Sequence, residues 1–268
     1  MQILWVGQPG MVGFNGVADV ISGAVNPSGH LPDTYAAIIN SDPSTEEFWR
    51  LLYTNNSTVS TDLTSSDMGD WYVVYNEGIY GGYKYYETRY EDAVLGRFNA
   101  GADIGSTTGN GWNYADEMVY PFGYGLSYTT FEQKLENISV NVGGTGTATV
   151  NVVNTGNVAG KCAVELYVQA PYTEGGVEKA AIQLLDFGKT DVLQPGESET
   201  VTIEFDPRYM ASYDETAQKA DGTMGAWILD TGDYFFTVAN GAHEAINNVL
   251  AKKLGTTDAL TIVTSDET

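Results

Sequence analysis

An α/β segment followed by an all-β sandwich of immunoglobulin-like type is the architecture that this 268-residue sequence predicts. Three observations predict it. Residues 1–23 read as a strand, a glycine turn and a helix in succession. From residue 132 onward, short strand-like runs recur at regular spacing, separated by turn residues. The 31 glycines and the 18% charged fraction, below the usual ~25%, favour turns and buried strands over long solvated helices.

In the first segment, Ile3-Leu4-Trp5-Val6 reads as a short buried strand, and Gly7-Gln8-Pro9-Gly10-Met11-Val12-Gly13 as a tight turn. A strand this close to the start, with no lead-in, suggests a portion of a larger polypeptide. Asn15 can cap the helix after the turn. Val17, Ala18, Val20 and Ile21 give it an apolar stripe, and Gly23 ends it. Asn26-Pro27-Ser28-Gly29 then turns the chain into Leu31-Pro32. Residues 40–70, rich in Ser, Thr, Asn and Asp, read as a long surface excursion. Residues 71–90 hold eight aromatic side chains around Asn76-Glu77-Gly78, and residues 96–117 are again irregular. The compact turn Tyr120-Pro121-Phe122-Gly123-Tyr124-Gly125 places the domain junction, so the first domain covers residues 1–131.

The second domain, residues 132–242, is predicted to carry strands at 135–142, 146–153, 163–169, 180–189, 199–205, 226–229 and 234–238. Gly143-Gly144, Asn154-Thr155-Gly156-Asn157, Gln194-Pro195-Gly196 and Asp230-Thr231-Gly232-Asp233 supply the turns. Seven short strands with alternating faces suit two packed sheets. Residues 243–268 read as a short helix and then a polar tail or linker.

Charge excludes some partners. A net charge of −23 repels phosphate backbones and anionic lipid surfaces, so neither nucleic acid nor a membrane is an expected partner. No apolar run approaches the roughly 18 residues of a membrane span. The single cysteine, Cys162, forbids an intramolecular disulfide and a multi-cysteine metal site. His30 and His243 have no companions at metal-ligand spacing and read as structural or solvated, so neither a metal nor another cofactor is expected. Gly7, Gly10 and Gly13 are spaced GxxGxxG rather than GxGxxG, and no Lys-Ser/Thr pair comes after them; they shape a turn and do not form a nucleotide cradle.

Three segments, in this order, resemble glycoside hydrolase family 3, the β-glucosidase and β-xylosidase family. They are Leu4-Trp5-Val6-Gly7-Gln8-Pro9-Gly10 with Ala18 to Pro32, then Tyr75-Asn76-Glu77-Gly78 to Thr88, then Pro121-Phe122-Gly123-Tyr124-Gly125-Leu126-Ser127-Tyr128-Thr129-Thr130-Phe131. His30 departs from the pattern, standing where arginine or lysine is more usual. The resemblance covers most of residues 1–250. It implies the last part of an α/β sandwich domain followed by a fibronectin type III-like domain. It further implies that the aspartate nucleophile comes from a barrel domain and the acid/base glutamate from a loop upstream, neither of which is in this sequence. No catalytic residue is therefore assigned here, and this polypeptide alone is expected to be inactive. The expected substrate of the intact enzyme is a β-glucoside or related oligosaccharide, and the expected partner is the barrel. In some relatives the barrel comes after these two domains, and residues 241–268 could equally be a connection to it or a ragged end. A non-catalytic carbohydrate-binding or scaffolding module is the alternative function.

Among individual residues, Trp71 and Tyr80 are the candidates to border a sugar subsite, because an aromatic face meets the apolar C–H patches of a pyranose. Glu77 stands among aromatics that would desolvate it. It is read as a structural carboxylate accepting from backbone N–H groups, Lys84 or Arg89, because the resemblance puts the acid/base elsewhere. The loop from Thr173 to Lys179 reads as a solvated turn between strands.

Overall fold

The computed structural model describes residues 4–47, 74–256 and 261–265. Its first helix, α1 (Gly10–Ser22), stops at Gly23 in the left-handed conformation, as predicted. The start differs from expectation. Pro9 rather than Asn15 is the N-cap: its ring holds φ at −75° and its carbonyl accepts the Gly13 N–H at 3.2 Å, closing the first turn. The predicted opening strand is also corrected, since residues 4–9 have no regular structure and Trp5 is 62% exposed. A strand needs a neighbour for its N–H and C=O groups, and among the described residues none lies beside it. For the same want of a packing partner, α1 buries no residue.

The rest of this part contains β1 (Tyr35–Ala36), α2 (Pro43–Glu47), α3 (Tyr83–Leu95), α4 (Tyr114–Glu117) and β2 (Met118–Tyr120), with β1 and β2 paired antiparallel. Helix α3 is an addition to the expected elements, drawn from the end of the aromatic stretch. Its Tyr86 joins Trp112 and Tyr114 in a small core of their own.

The sandwich is built from β3 (Phe131–Ser139), β4 (Gly146–Asn154), β5 (Ala163–Gln169), β6 (Gln183–Lys189), β7 (Ser198–Phe205), β8 (Ser212–Gln218), β9 (Met224–Ile228) and β10 (Asp233–Ala239). One sheet runs β3-β4-β7; β8 and β9 form a separate hairpin. Strand β8, Ser-Tyr-Asp-Glu-Thr-Ala-Gln, is not among the predicted strands because it carries no alternating apolar face. In β4, by contrast, every second residue is buried, with Ala148, Val150 and Val152 facing the opposite sheet. They meet Val164, Leu166 and Val168 of β5 and Phe236 and Val238 of β10 in the main core.

The predicted tail needs the largest correction. A short helix is present, α5 (Ala242–Lys253), but the chain beyond it is not all linker: β11 (Thr261–Ser265) pairs with β10 and completes the second sheet, β11-β10-β5-β6. Helix α5 lays Ala242, Ala245, Ile246, Val249 and Leu250 against Tyr167, Ile182 and Ala239 on the outer face of that sheet. This explains why β5 is buried almost continuously instead of alternating.

The turn at residues 121–124 is bonded to segments on both sides of it. Gly123 donates to the Leu31 carbonyl at 2.9 Å, and Phe122 accepts from the Ala242 N–H at 3.0 Å. Gly123 has φ +81°, and a Cβ there would lie 2.6 Å from both Glu165 Oε2 and the Gly241 Cα, so only glycine lets these backbones approach. Asn26 bridges the same seam, accepting from the Ser127 hydroxyl at 2.9 Å and donating to the Ala159 carbonyl at 3.3 Å.

Candidate functional site

Helix α3 presents a carboxylate-bearing face to the sandwich because Glu87 and Glu91, four residues apart, project from the same side. Glu87 is 1% exposed and has both oxygens engaged: Tyr114 Oη donates to its Oε1 at 2.6 Å, and His243 Nδ1 lies 2.9 Å from its Oε2. The Tyr114 ring stacks on that imidazole with centroids 3.9 Å apart. A second trio has the same composition. Tyr167 Oη donates to Glu165 Oε2 at 2.6 Å, and His30 Nδ1 approaches Glu165 Oε1 to 3.2 Å. Both histidines thus tie the α/β part to the sandwich or to α5, fitting the structural reading. Burial and then the adjacent glutamate push the Tyr114 and Tyr167 hydroxyls far up, so they remain proton donors.

Beside these ties, a cleft of about 1060 Å³ opens between α3 with its C-terminal loop and the 169–181 segment of the sandwich. Tyr80 lines it. Its hydroxyl bonds to Glu178, and burial first, then the Glu178 charge, raise its pKa. Phe98 and Tyr172 meet edge to face at the mouth, centroids 6.4 Å apart. On the floor, Glu91 is held by Lys253 Nζ at 2.7 Å and by Gln169 Nε2 at 3.1 Å. Asp92 is pushed up to about 6, by burial first and then by the Glu91 charge, against the opposing pull of Arg97 and Lys253. Glu91 and Asp92 are consecutive on one helix and so point in different directions instead of facing each other across a ligand. The cleft can therefore seat a polar ligand against aromatic edges, while Glu91 and Glu178 are already engaged.

Of the residues singled out in the sequence, Tyr80 reaches this cleft and Trp71 lies outside the described residues. Glu77 does not pair with Arg89. That guanidinium instead donates to the Ala100, Ala102 and Ile104 carbonyls and to Tyr85 Oη, and it stacks 4.8 Å from the Trp112 ring. Glu77 Oε2 is buried with no hydrogen-bond partner among the described residues. The 173–179 loop is only partly the solvated turn expected: Glu174 and Glu178 are exposed, but the half-buried Lys179 has its side chain enclosed in an ion pair with Asp230. Glu87, Glu91 and Glu165 were missed. The i, i+4 spacing of Glu87 and Glu91 was the available signal, hidden because residues 83–95 do not read as a helix. Among the described residues no group of three or more His, Cys, Asp or Glu is placed to hold a metal ion, and no helix is long and apolar enough to cross a membrane.

Two Glu-His-Tyr trios join the α/β part to the sandwich and to α5, and a carboxylate-lined cleft runs along the joint. The glycosyl hydrolase family 3 C-terminal domain matches residues 2–83, and the fibronectin type III-like domain matches residues 163–242. The two matches support a glycoside hydrolase family 3 C-terminal region followed by a fibronectin type III-like region. It is 35% identical over 243 residues to a β-glucosidase of Ruminococcus albus, covering 91% of this chain and 20% of that protein. With β-glucosidase A of Butyrivibrio fibrisolvens the identity is 34% over 256 residues, 90% of this chain and 25% of the relative. The chain thus spans a fifth to a quarter of the length of these curated relatives. Among solved structures, a β-glucosidase from Paenibacillus barengoltzii superposes with a TM-score of 0.65 at 32% identity, covering 97% of this chain and 22% of that one. β-Glucosidase 3B from Thermotoga neapolitana, solved in complex with α-D-glucose, gives 0.59 at 28% identity, covering 93% and 26%.

Proposed function

We propose that this chain is part of a β-glucosidase that removes terminal β-linked glucosyl residues, with the nucleophile and the acid/base supplied by segments outside it. The single observation carrying this reading is continuous similarity to β-glucosidases over 91% of the chain, spanning both domains and the turn between them. Retaining hydrolysis requires a nucleophilic carboxylate and a protonated carboxyl about 5–5.5 Å apart across the scissile bond. Glu91 and Glu178 are already engaged, and Asp92 adjoins Glu91 in sequence, an arrangement that suits a wall of the crevice better than its reacting pair.

In this reading residues 1–131 close the crevice and residues 132–242 brace it, while α5 clamps the two together. Trp71 and Tyr80 border a sugar subsite, and Glu77 is a structural carboxylate whose change to Gln lowers stability or affinity without the large rate loss of an acid/base. The test is hydrolysis of an aryl β-glucoside by the chain alone and by the chain joined to a family barrel and the upstream α/β segment. Turnover only in the joined protein is the expected result. Turnover by the chain alone that a single Asp or Glu substitution abolishes, or none in the joined protein, overturns the reading.

A further inference from the structure

On the other side of the 173–179 loop lies a second and larger groove, about 1440 Å³, roofed by the β8–β9 hairpin. Tyr213 and Trp227 stand directly opposite each other in the hairpin register, their rings 5.5 Å apart at 66°. Trp227 is 71% exposed, Tyr213 51% and Tyr209, on the same groove, 62%. One exposed aromatic is ordinary; three around one concavity mark a binding surface. The backbone is shaped around one of them. Gly225 has φ +86°, and a Cβ there would collide with the Tyr213 hydroxyl, so the ring keeps its place only because this residue is glycine.

The charges narrow the ligand. Of the three cations in the lining, Arg208 is already bonded to Asp206 at 2.8 Å and Lys179 is paired with Asp230, while burial lowers the pKa of the third, Lys84, and so disfavours its charged form. Glu178, Asp214 and Glu215 add further carboxylates to the lining, so an anionic ligand is disfavoured. Flat apolar rings beside carboxylate acceptors suit a neutral polyhydroxylated molecule, whose C–H faces stack while its hydroxyls donate. We propose that this groove binds a neutral β-linked gluco-oligosaccharide through Tyr213 and Trp227. The choice of β-linked glucose units rests on the function proposed above. A β-1,4 chain is an extended ribbon with a flat C–H face on each ring, whereas an α-1,4 chain coils away from a planar platform.

Isothermal titration of the full chain with cellotetraose and with maltotetraose tests this. Binding of cellotetraose in preference to maltotetraose is expected, weakened about tenfold or more by Trp227→Ala and by Tyr213→Ala. Phe187→Ala, an exposed aromatic on β6 outside the groove, should leave affinity unchanged. Gly225→Ala should weaken binding by displacing the Tyr213 ring. Circular dichroism melting confirms that each variant folds, and Trp227→Phe, which keeps an aromatic ring, should recover part of the affinity if Trp227→Ala does not fold. The proposal is overturned if cellotetraose gives no heat, if maltotetraose binds equally well, or if folded Trp227→Ala binds like the parent chain. Because the glucosidase reading is judged by turnover in the joined protein, activity there without binding here removes this inference alone.

Discussion

Glu87 is the side chain whose removal should cost the fold most. It is 1% exposed, takes the Tyr114 hydroxyl at 2.6 Å on one oxygen and His243 at 2.9 Å on the other, and so links α3, α4 and α5. Glu87→Ala strips both partners of their acceptor, Tyr114 buried and His243 partly so, a change worth about 3–5 kcal/mol. Tyr114→Phe keeps the ring stacked on His243 and loses one hydrogen bond to a charged acceptor, about 1.5–3 kcal/mol. Because the two changes break a shared contact, the double variant should lose less than the sum of the singles, by about 1 kcal/mol or more. Urea unfolding of the four proteins measures all three quantities. With a slope of about 2–3 kcal/mol/M, the Glu87→Ala midpoint should fall by about 1–2.5 M. A loss below about 1 kcal/mol for Glu87→Ala, or strict additivity, would refute the account of this cluster as a tie between elements.

The same geometry sets three other measurable outcomes. Asp92 is raised to about 6 in the folded chain, so the native state binds the extra proton between about pH 4 and 6 and stability falls across that window as pH rises. Asp92→Asn should therefore be the more stable protein at pH 7 and equal to the parent near pH 4. Solvent screening of this half-exposed group keeps the difference to about 1 kcal/mol, read from paired urea midpoints. The Cys162 thiol is pushed up to about 12, chiefly by burial, so a thiol reagent at pH 8 should react with it only after unfolding. Ile246→Ala, at a fully buried position of α5 over the sheet, should cost about 2–5 kcal/mol in the same unfolding assay, whereas a dispensable tail would show no change.

The strands that can be read in advance are those whose burial is set by their own alternation. Strand β4 runs as predicted to within a residue because Ala148, Val150 and Val152 alternate with polar neighbours between two glycine turns. Strand β8 has no such face and was invisible, yet it carries Tyr213, half of the exposed aromatic pair. Helix α3 was hidden for the opposite reason: Tyr83, Tyr85, Tyr86 and Tyr90 are poor markers of helical period, and several of them pack instead of forming a sugar platform. Of the candidate site, Tyr80 was legible from its aromatic context, while the carboxylates around it were not.

Read alone, the sequence was enough for the order of the two parts, the β character of the second, the strongly acidic charge and the motif-bearing turns at residues 4–32, 75–88 and 121–131. These are local properties, written in periodicity, composition and short words. Tertiary structure decided which of many carboxylates became working contacts: Glu87 finds His243 across 156 positions, and Lys253 reaches Glu91 across 162. It also decided that α5 and β11 finish the sandwich, because an outer sheet face rich in Tyr167, Ile182 and Ala239 must be covered from water, and the chain just beyond β10 is the segment that covers it.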